Sequence, residues 1–113
     1  RDIFEAMAAD SGQRASSLRV DGGASASDLL MQFQADILEI PVERPLVTEM
    51  TARGAAYLAG LGVRFWENKE EVASHWKLDR IFEPNMNLDQ RESLYSGWKA
   101  AVKRSLGWLK SFS

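Results

Sequence analysis

Leu18-Arg19-Val20-Asp21-Gly22-Gly23-Ala24-Ser25-Ala26-Ser27-Asp28 is the stretch on which the fold turns. A short aliphatic and β-branched run stops at a glycine pair, and a helical pattern starts within a few residues. Strand, glycine turn and helix in that order are the beginning of an α/β unit. Glycines suit the junction because they tolerate φ > 0 and let another group approach the backbone closely. The helix beyond them presents free N–H groups and the positive end of its dipole, a setting that suits a phosphate or nucleotide. A turn of this kind also serves as a plain connector, and on the residues alone both readings stay open.

Working outward, residues 1–11 place Ile3, Phe4, Met7 and Ala8 on one helical face, and Ser11-Gly12 supplies a stop. Residues 17–21 read as a strand, buried between flanking helices. The next helix runs from about Asp28 to about Glu39 with Leu29, Leu30, Phe33, Ile37 and Leu38 as its apolar stripe, and Pro41 ends it. Ser25 with Asp28 has the form of a capping box, with Ser27 a competing N-cap. Val42-Glu43-Arg44-Pro45-Leu46 is extended, Pro45 marking the strand's end or edge.

A third helix over about 51–63 is rich in small residues: Ala52, Gly54, Ala55, Ala56, Ala59, Gly60 and Gly62. Close packing explains such a face, and a flat ligand would also fit it. Asn68 with Glu71 opens a short helix through about His75, and 77–86 is irregular or extended. Asn87 with Gln90 opens a last helix, in which Leu94, Trp98, Ala101, Val102, Ser105, Leu106 and Leu109 recur at helical spacing. Lys99, Lys103, Arg104 and Lys110 are its charged positions.

The expected order is therefore helix–strand–helix–strand–helix followed by a helical tail, an α/β arrangement with at least one parallel pair. Two strands make a thin sheet, so further strands are expected from upstream residues. The first residue is Arg1 rather than Met, and both points indicate a piece of a longer protein.

The 113 residues suit one domain or part of one, and 45% hydrophobic with 27% charged residues is a globular balance. A net charge of −2 provides no basic field for nucleic acid. The absence of Cys excludes disulfides and thiolate metal sites, and a single His is too few for a zinc or iron site. No apolar run approaches the ~20 residues of a membrane span.

The glycine turn lacks both the Gly-x-Gly-x-x-Gly dinucleotide fingerprint and the Gly-Lys-Ser/Thr of a P-loop. His75, in a charged stretch beside Trp76, reads as a surface or half-packed residue rather than a catalytic base. Trp66, Trp76, Trp98 and Trp108 read as core or interface anchors. Asp21 stands beside the glycine pair, placed to approach a metal–phosphate group or to cap local N–H groups. No complete catalytic set is present, and no metal-ligating residue is assigned.

Leu18-Arg19-Val20-Asp21-Gly22-Gly23-Ala24 followed by Met31-Gln32-Phe33-Gln34-Ala35-Asp36-Ile37-Leu38 resembles the glycerol kinase branch of the sugar-kinase family. The similarity continues through Val42-Glu43-Arg44-Pro45, through Thr51-Ala52-Arg53-Gly54-Ala55-Ala56-Tyr57-Leu58-Ala59-Gly60-Leu61, and into Phe65-Trp66 and Tyr95-Ser96-Gly97-Trp98-Lys99. The resemblance implies the C-terminal part of the second ribonuclease-H-like domain of an actin-like ATPase fold. Residues 1–113 would be a single partial domain, with 1–66 an α/β core carrying the adenosine motif and 67–113 a C-terminal helical extension.

By the same resemblance Gly22, Gly23 and Ser27 contact the nucleotide, Ser27 standing where the family commonly has Asn. The cofactor implied is ATP/ADP with Mg2+, and the reaction is transfer of the γ-phosphoryl group to glycerol, giving glycerol 3-phosphate. The acceptor carboxylate, the glycerol pocket and most metal–phosphate groups would lie upstream, leaving this segment inactive alone. The full-length enzyme is expected to be a cytoplasmic homo-oligomer that binds ATP and glycerol. The competing readings are a non-catalytic α/β interaction module, whose last helix docks on a partner, and another carbohydrate kinase of the same family.

Overall fold

The pattern of apolar positions and caps yields nine elements in the computed structural model, which describes residues 1–107. In chain order they are α1 (Asp2–Ser11), β1 (Leu18–Arg19), a 3-10 turn (Gly23–Ala26), α2 (Asp28–Leu38), β2 (Val42–Pro45), α3 (Met50–Gly62), α4 (Lys69–Ser74), β3 (Leu78–Phe82) and α5 (Leu88–Ser105). Side-chain oxygens cap three of the helices. Ser27 Oγ accepts from the Leu30 N–H at 3.3 Å, Asn68 Oδ1 from Glu71 at 2.8 Å and Asn87 Oδ1 from Gln90 at 2.9 Å. The Ser25–Asp28 capping box is not formed. Ser25 instead donates its hydroxyl to the Gly22 carbonyl at 2.6 Å, and Ser27, two residues nearer the helix, takes the cap.

The sheet has three strands in the order β1-β2-β3, one more than the two read from the sequence. β1 lies parallel to β2 with Leu18 beside Val42, and β3 runs antiparallel to β2 with Phe82 beside Val42. The extended part of 77–86 is thus an edge strand inside what reads as a helical tail. Pro45 closes β2, where the β2–β3 register shifts after Arg44.

Met31 and Ala35 of α2 lie on Val42 and Phe82, and Leu18 and Val20 pack partly against this cluster. Residues 17–21 are not a buried strand: Leu18 and Val20 are half-buried and Arg19 is exposed. The alternation arises because α2 covers one sheet face, while Arg19 and Ile81 stand exposed.

The apolar stripe assigned to α2 also lies elsewhere. Its buried residues are Met31, Ala35 and Asp36, whereas Leu29 is 83% and Phe33 43% exposed. The helix is apolar around most of its circumference, so periodicity alone cannot choose the packed face. On α5 the buried residues are Arg91 and Tyr95, and Leu94, Trp98, Val102 and Leu106 are exposed. On α1, Phe4 and Ala8 are half-buried and Ile3 and Met7 exposed. Trp108, Leu109 and Lys110 lie outside the described residues. The Cα radius of gyration is 18.6 Å, against about 13 Å for a compact chain of this length.

Polar contacts hold the outer helices. The buried Asp36 carboxylate accepts from Gln32 at 3.1 Å and from the backbone N–H groups of Asn85 and Met86 at 2.7 and 3.2 Å. This fixes the loop before α5 against α2. Arg91 meets Glu39 at 3.1 Å, where Glu39 ends α2 two residues before the predicted stop at Pro41 has to act. α1 docks on α5 through Arg1, which reaches Glu92 at 2.7 Å, and through Asp2. The Asp2 carboxylate accepts from the Tyr95 hydroxyl and, at 2.7 Å, from Trp98 Nε1. These bonds hold Asp2 below the usual carboxylate range, and the hydrogen bond to Asp2, with burial and the Asp2 charge behind it, pushes the Tyr95 hydroxyl up to about 12.

Asp36→Ala leaves two backbone donors without their acceptor, and the expected cost is about 1–3 kcal/mol in urea unfolding. The α1–α5 contact has its own pH window. The depressed Asp2 favours folding above the ordinary carboxylate range of about 4 and loses that contribution as pH falls below it. The raised Tyr95 favours folding below about pH 10 and loses it as pH rises through about 12. Spectrophotometric titration of Asp2→Asn is expected to return Tyr95 toward the ordinary tyrosine value.

Candidate functional site

β1 delivers the chain to Gly22 at the edge of the sheet, and the 3-10 turn carries it into α2. Gly22 has φ 83° and ψ 168°, a region that essentially only glycine adopts. Its N–H donates to the Thr48 carbonyl at 2.6 Å, and its own carbonyl accepts from Ser25 N–H at 3.1 Å. The Ser25 hydroxyl reinforces that acceptor. A trans peptide points N–H and C=O in opposite directions. With the Gly22 carbonyl turned into the turn, the Gly23 N–H is turned out of it.

A Cβ at Gly23 would meet no atom within 4 Å, and its φ is not one that demands glycine. Gly22 therefore has a conformational reason in this chain, while Gly23 offers an exposed backbone that another molecule can approach. Ser27 is exposed on the same turn, its Oγ occupied as an acceptor by Leu30 N–H and its hydroxyl proton left for donation. The structure thus brings Gly22, Gly23 and Ser27 together on one edge, with Asp21 exposed just before them.

Beneath the turn lies a cluster that the sequence reading did not pick as functional. Arg44, whose side chain is 12% exposed, donates Nη1 to Asp28 Oδ1 at 2.7 Å and Nε to Asp79 Oδ2 at 2.8 Å. The same Nη1 reaches the carbonyls of Ser25 and Ala26 at 3.2 and 3.4 Å. Arg80 meets the other Asp28 oxygen at 2.8 Å. Arg44 holds Asp28 below the ordinary carboxylate range, and Asp28 and then Asp79 push the guanidinium up. The available signal was strand alternation: Arg44 is two residues from Val42 and so shares its core-facing side.

His75 belongs to a separate group. Its Nδ1 lies 2.9 Å from the Glu71 carbonyl, and its ring lies against Trp66, with centroids 5.8 Å apart. Trp66 also accounts for one small residue of α3, since a Cβ at Gly60 would fall 2.2 Å from its ring. Gly54 has open space around it. Trp76 lies under the Arg19 guanidinium at 4.3 Å. A cleft of about 680 Å³ between α1, the loop after it and the end of α2 is not lined by Gly22, Gly23 or Ser27. Among the described residues no group of three or more His, Asp or Glu is arranged to hold a metal ion, and no helix is long and apolar enough to cross a membrane.

Comparison with known proteins adds a frame to this geometry. Residues 1–63 match the FGGY family of carbohydrate kinases, C-terminal domain. Glycerol kinase 2 of Thermotoga maritima is 63% identical over 110 residues, covering 97% of this chain and 22% of that protein. A glycerol kinase of Desulforamulus reducens is 62% identical over 108 residues, covering 96% of this chain and 22% of that protein. The crystal structure of Plasmodium falciparum glycerol kinase with ADP superposes with a TM-score of 0.74 at 35% identity, over 92% of this chain and 21% of that one. A ligand-bound xylulose kinase from Lactobacillus acidophilus shares the fold, with a TM-score of 0.67 at 21% identity over 89% of this chain and 21% of that one. The chain spans about a fifth of the length of the curated relatives it matches.

Gly22→Ala is expected to lower stability by about 1–3 kcal/mol in denaturant unfolding, because alanine is strained at that backbone geometry. Gly23→Ala in the same assay should stay within about 0.5 kcal/mol of the parent, as no atom contests the added methyl group.

Proposed function

The chain belongs to the FGGY family of carbohydrate kinases, and from that premise we propose that it is the C-terminal part of a glycerol kinase and builds part of its adenosine-binding wall. The observation that carries the reading is the 63% identity to a glycerol kinase across 97% of the chain. The 21% identity to the xylulose kinase speaks to fold alone, so the glycerol branch is favoured over other carbohydrate kinases. The ADP in the Plasmodium relative supports nucleotide as the ligand class.

In this reading residues 1–66 are the α/β core with the adenosine motif, and 67–113 are an extension that returns to the sheet through β3. Gly22 shapes the turn, Gly23 lets the nucleotide come against bare backbone with its outward N–H as donor, and Ser27 offers its hydroxyl. The residues at the turn fit such a role because the space over both glycines is open. Mg-ATP, when bound, supplies the γ-phosphoryl group that glycerol accepts to become glycerol 3-phosphate. Such a transfer depends on positioning and charge stabilisation, with a carboxylate to take the hydroxyl proton. That carboxylate, the glycerol pocket and most of the metal–phosphate groups are assigned to parts of the enzyme outside these residues. The whole enzyme is proposed to act as a homo-oligomer in the cytoplasm.

An amide-shift titration of the chain with Mg-ADP tests the site. Shifts are expected at Gly22, Gly23 and Ser27, and a folded chain that shows none would remove these residues from the site. The chain alone, supplied with glycerol and Mg-ATP, should produce no ADP above background; glycerol-dependent ADP production would overturn the division of labour described here.

A further inference from the structure

We infer that Arg44 is the positioning residue of the glycine turn, holding it in the shape that presents Gly23 and Ser27; the inference rests on the nucleotide reading of that turn. The turn has little apolar anchorage. Its residues are Gly, Ala and Ser, and the core cluster begins only at Met31. Its shape therefore depends on polar contacts: Gly22 N–H on the Thr48 carbonyl, Ser25 on the Gly22 carbonyl, and Arg44 on the carbonyls of Ser25 and Ala26.

Arg44 is the one of these that ties the turn to the sheet from beneath. Its guanidinium joins three elements: Ser25 and Ala26 of the turn, Asp28 at the first position of α2, and Asp79 on β3. Since β2 is the central strand, the donor is seated on the most constrained element of the sheet. A planar fork with five donors can serve carbonyls and two carboxylates at once, which a lysine ammonium on a flexible stem cannot reproduce. The side chain also lies over the Phe82 ring, 5.1 Å from its centroid, so its stem and head are held by packing as well as by charge. Arg44 does not itself face the open side of the turn. It acts by holding the Ser25 and Ala26 carbonyls, the part of the turn that lies between Gly23 and Ser27.

The experiment compares Arg44→Lys and Asp79→Asn with the parent in the full-length protein that carries this segment, by Mg-ADP affinity and by hydrogen exchange. Arg44→Lys keeps the charge and removes the fork. It is expected to weaken Mg-ADP binding about ten-fold, and to speed exchange at residues 22–28 while exchange at Met31–Ala35 stays near the parent's. Asp79→Asn, which frees one side of the guanidinium without touching the turn, should move both readouts the same way by a smaller factor. Unchanged affinity with unchanged exchange at 22–28 overturns the inference. Faster exchange spread equally through α2 and β3 also overturns it, since that marks general support of the fold. A parent protein that fails to bind Mg-ADP sinks the nucleotide reading, and exchange at 22–28 then still decides whether Arg44 holds the turn.

Discussion

The core-facing side of β2 carries two unlike residues two positions apart, and most of the molecule is organised by that pairing. Val42, fully buried, receives Met31 and Ala35 of α2, with Phe82 beside it. Arg44, on the same side, sends its guanidinium to the N-terminus of α2, to the 3-10 turn and to β3. The apolar half fixes how α2 lies on the sheet, and the ionic half fixes where α2 begins. An arginine this enclosed requires its partners, because an unpaired charge there would be strongly destabilising. Asp28 and Asp79 meet that requirement and, in doing so, lock the register of three elements.

Elsewhere polar pins take over where apolar area is scarce. A core of four buried apolar residues with two partly buried neighbours cannot by itself order five helices. Asp36 fastens the loop before α5, Arg91 and Glu39 join α5 to the end of α2, and Asp2 with Tyr95 and Trp98 docks α1. Such contacts are directional, so they fix orientation while leaving broad apolar faces uncovered. Leu29, Leu58, Phe65 and Leu106 remain open, and the chain is correspondingly extended.

The candidate site was legible in the sequence because glycine pairs and caps act locally. Gly22 sits at a backbone geometry reserved for glycine, and Ser27 caps α2, as the residue types allowed. Arg44 was not legible as part of it. Its partners Asp28 and Asp79 lie 16 and 35 residues away along the chain, and only pairing of β2 with β3 brings them together. The stripe of α2 failed for a related reason. A helix with Leu29, Leu30, Met31 and Phe33 around its circumference offers several apolar faces, and the sheet, not the spacing, chose Met31 and Ala35.

The order of the helices, their approximate boundaries and the strand–turn–helix unit thus followed from the chain itself, since propensity, capping and backbone geometry are properties of neighbouring residues. The third strand, the face that α2 buries and the charge cluster beneath the glycine turn were decided by tertiary structure. Each of these depends on which distant segments share a surface, and two surfaces of equal apolar character are told apart only by what comes to lie against them.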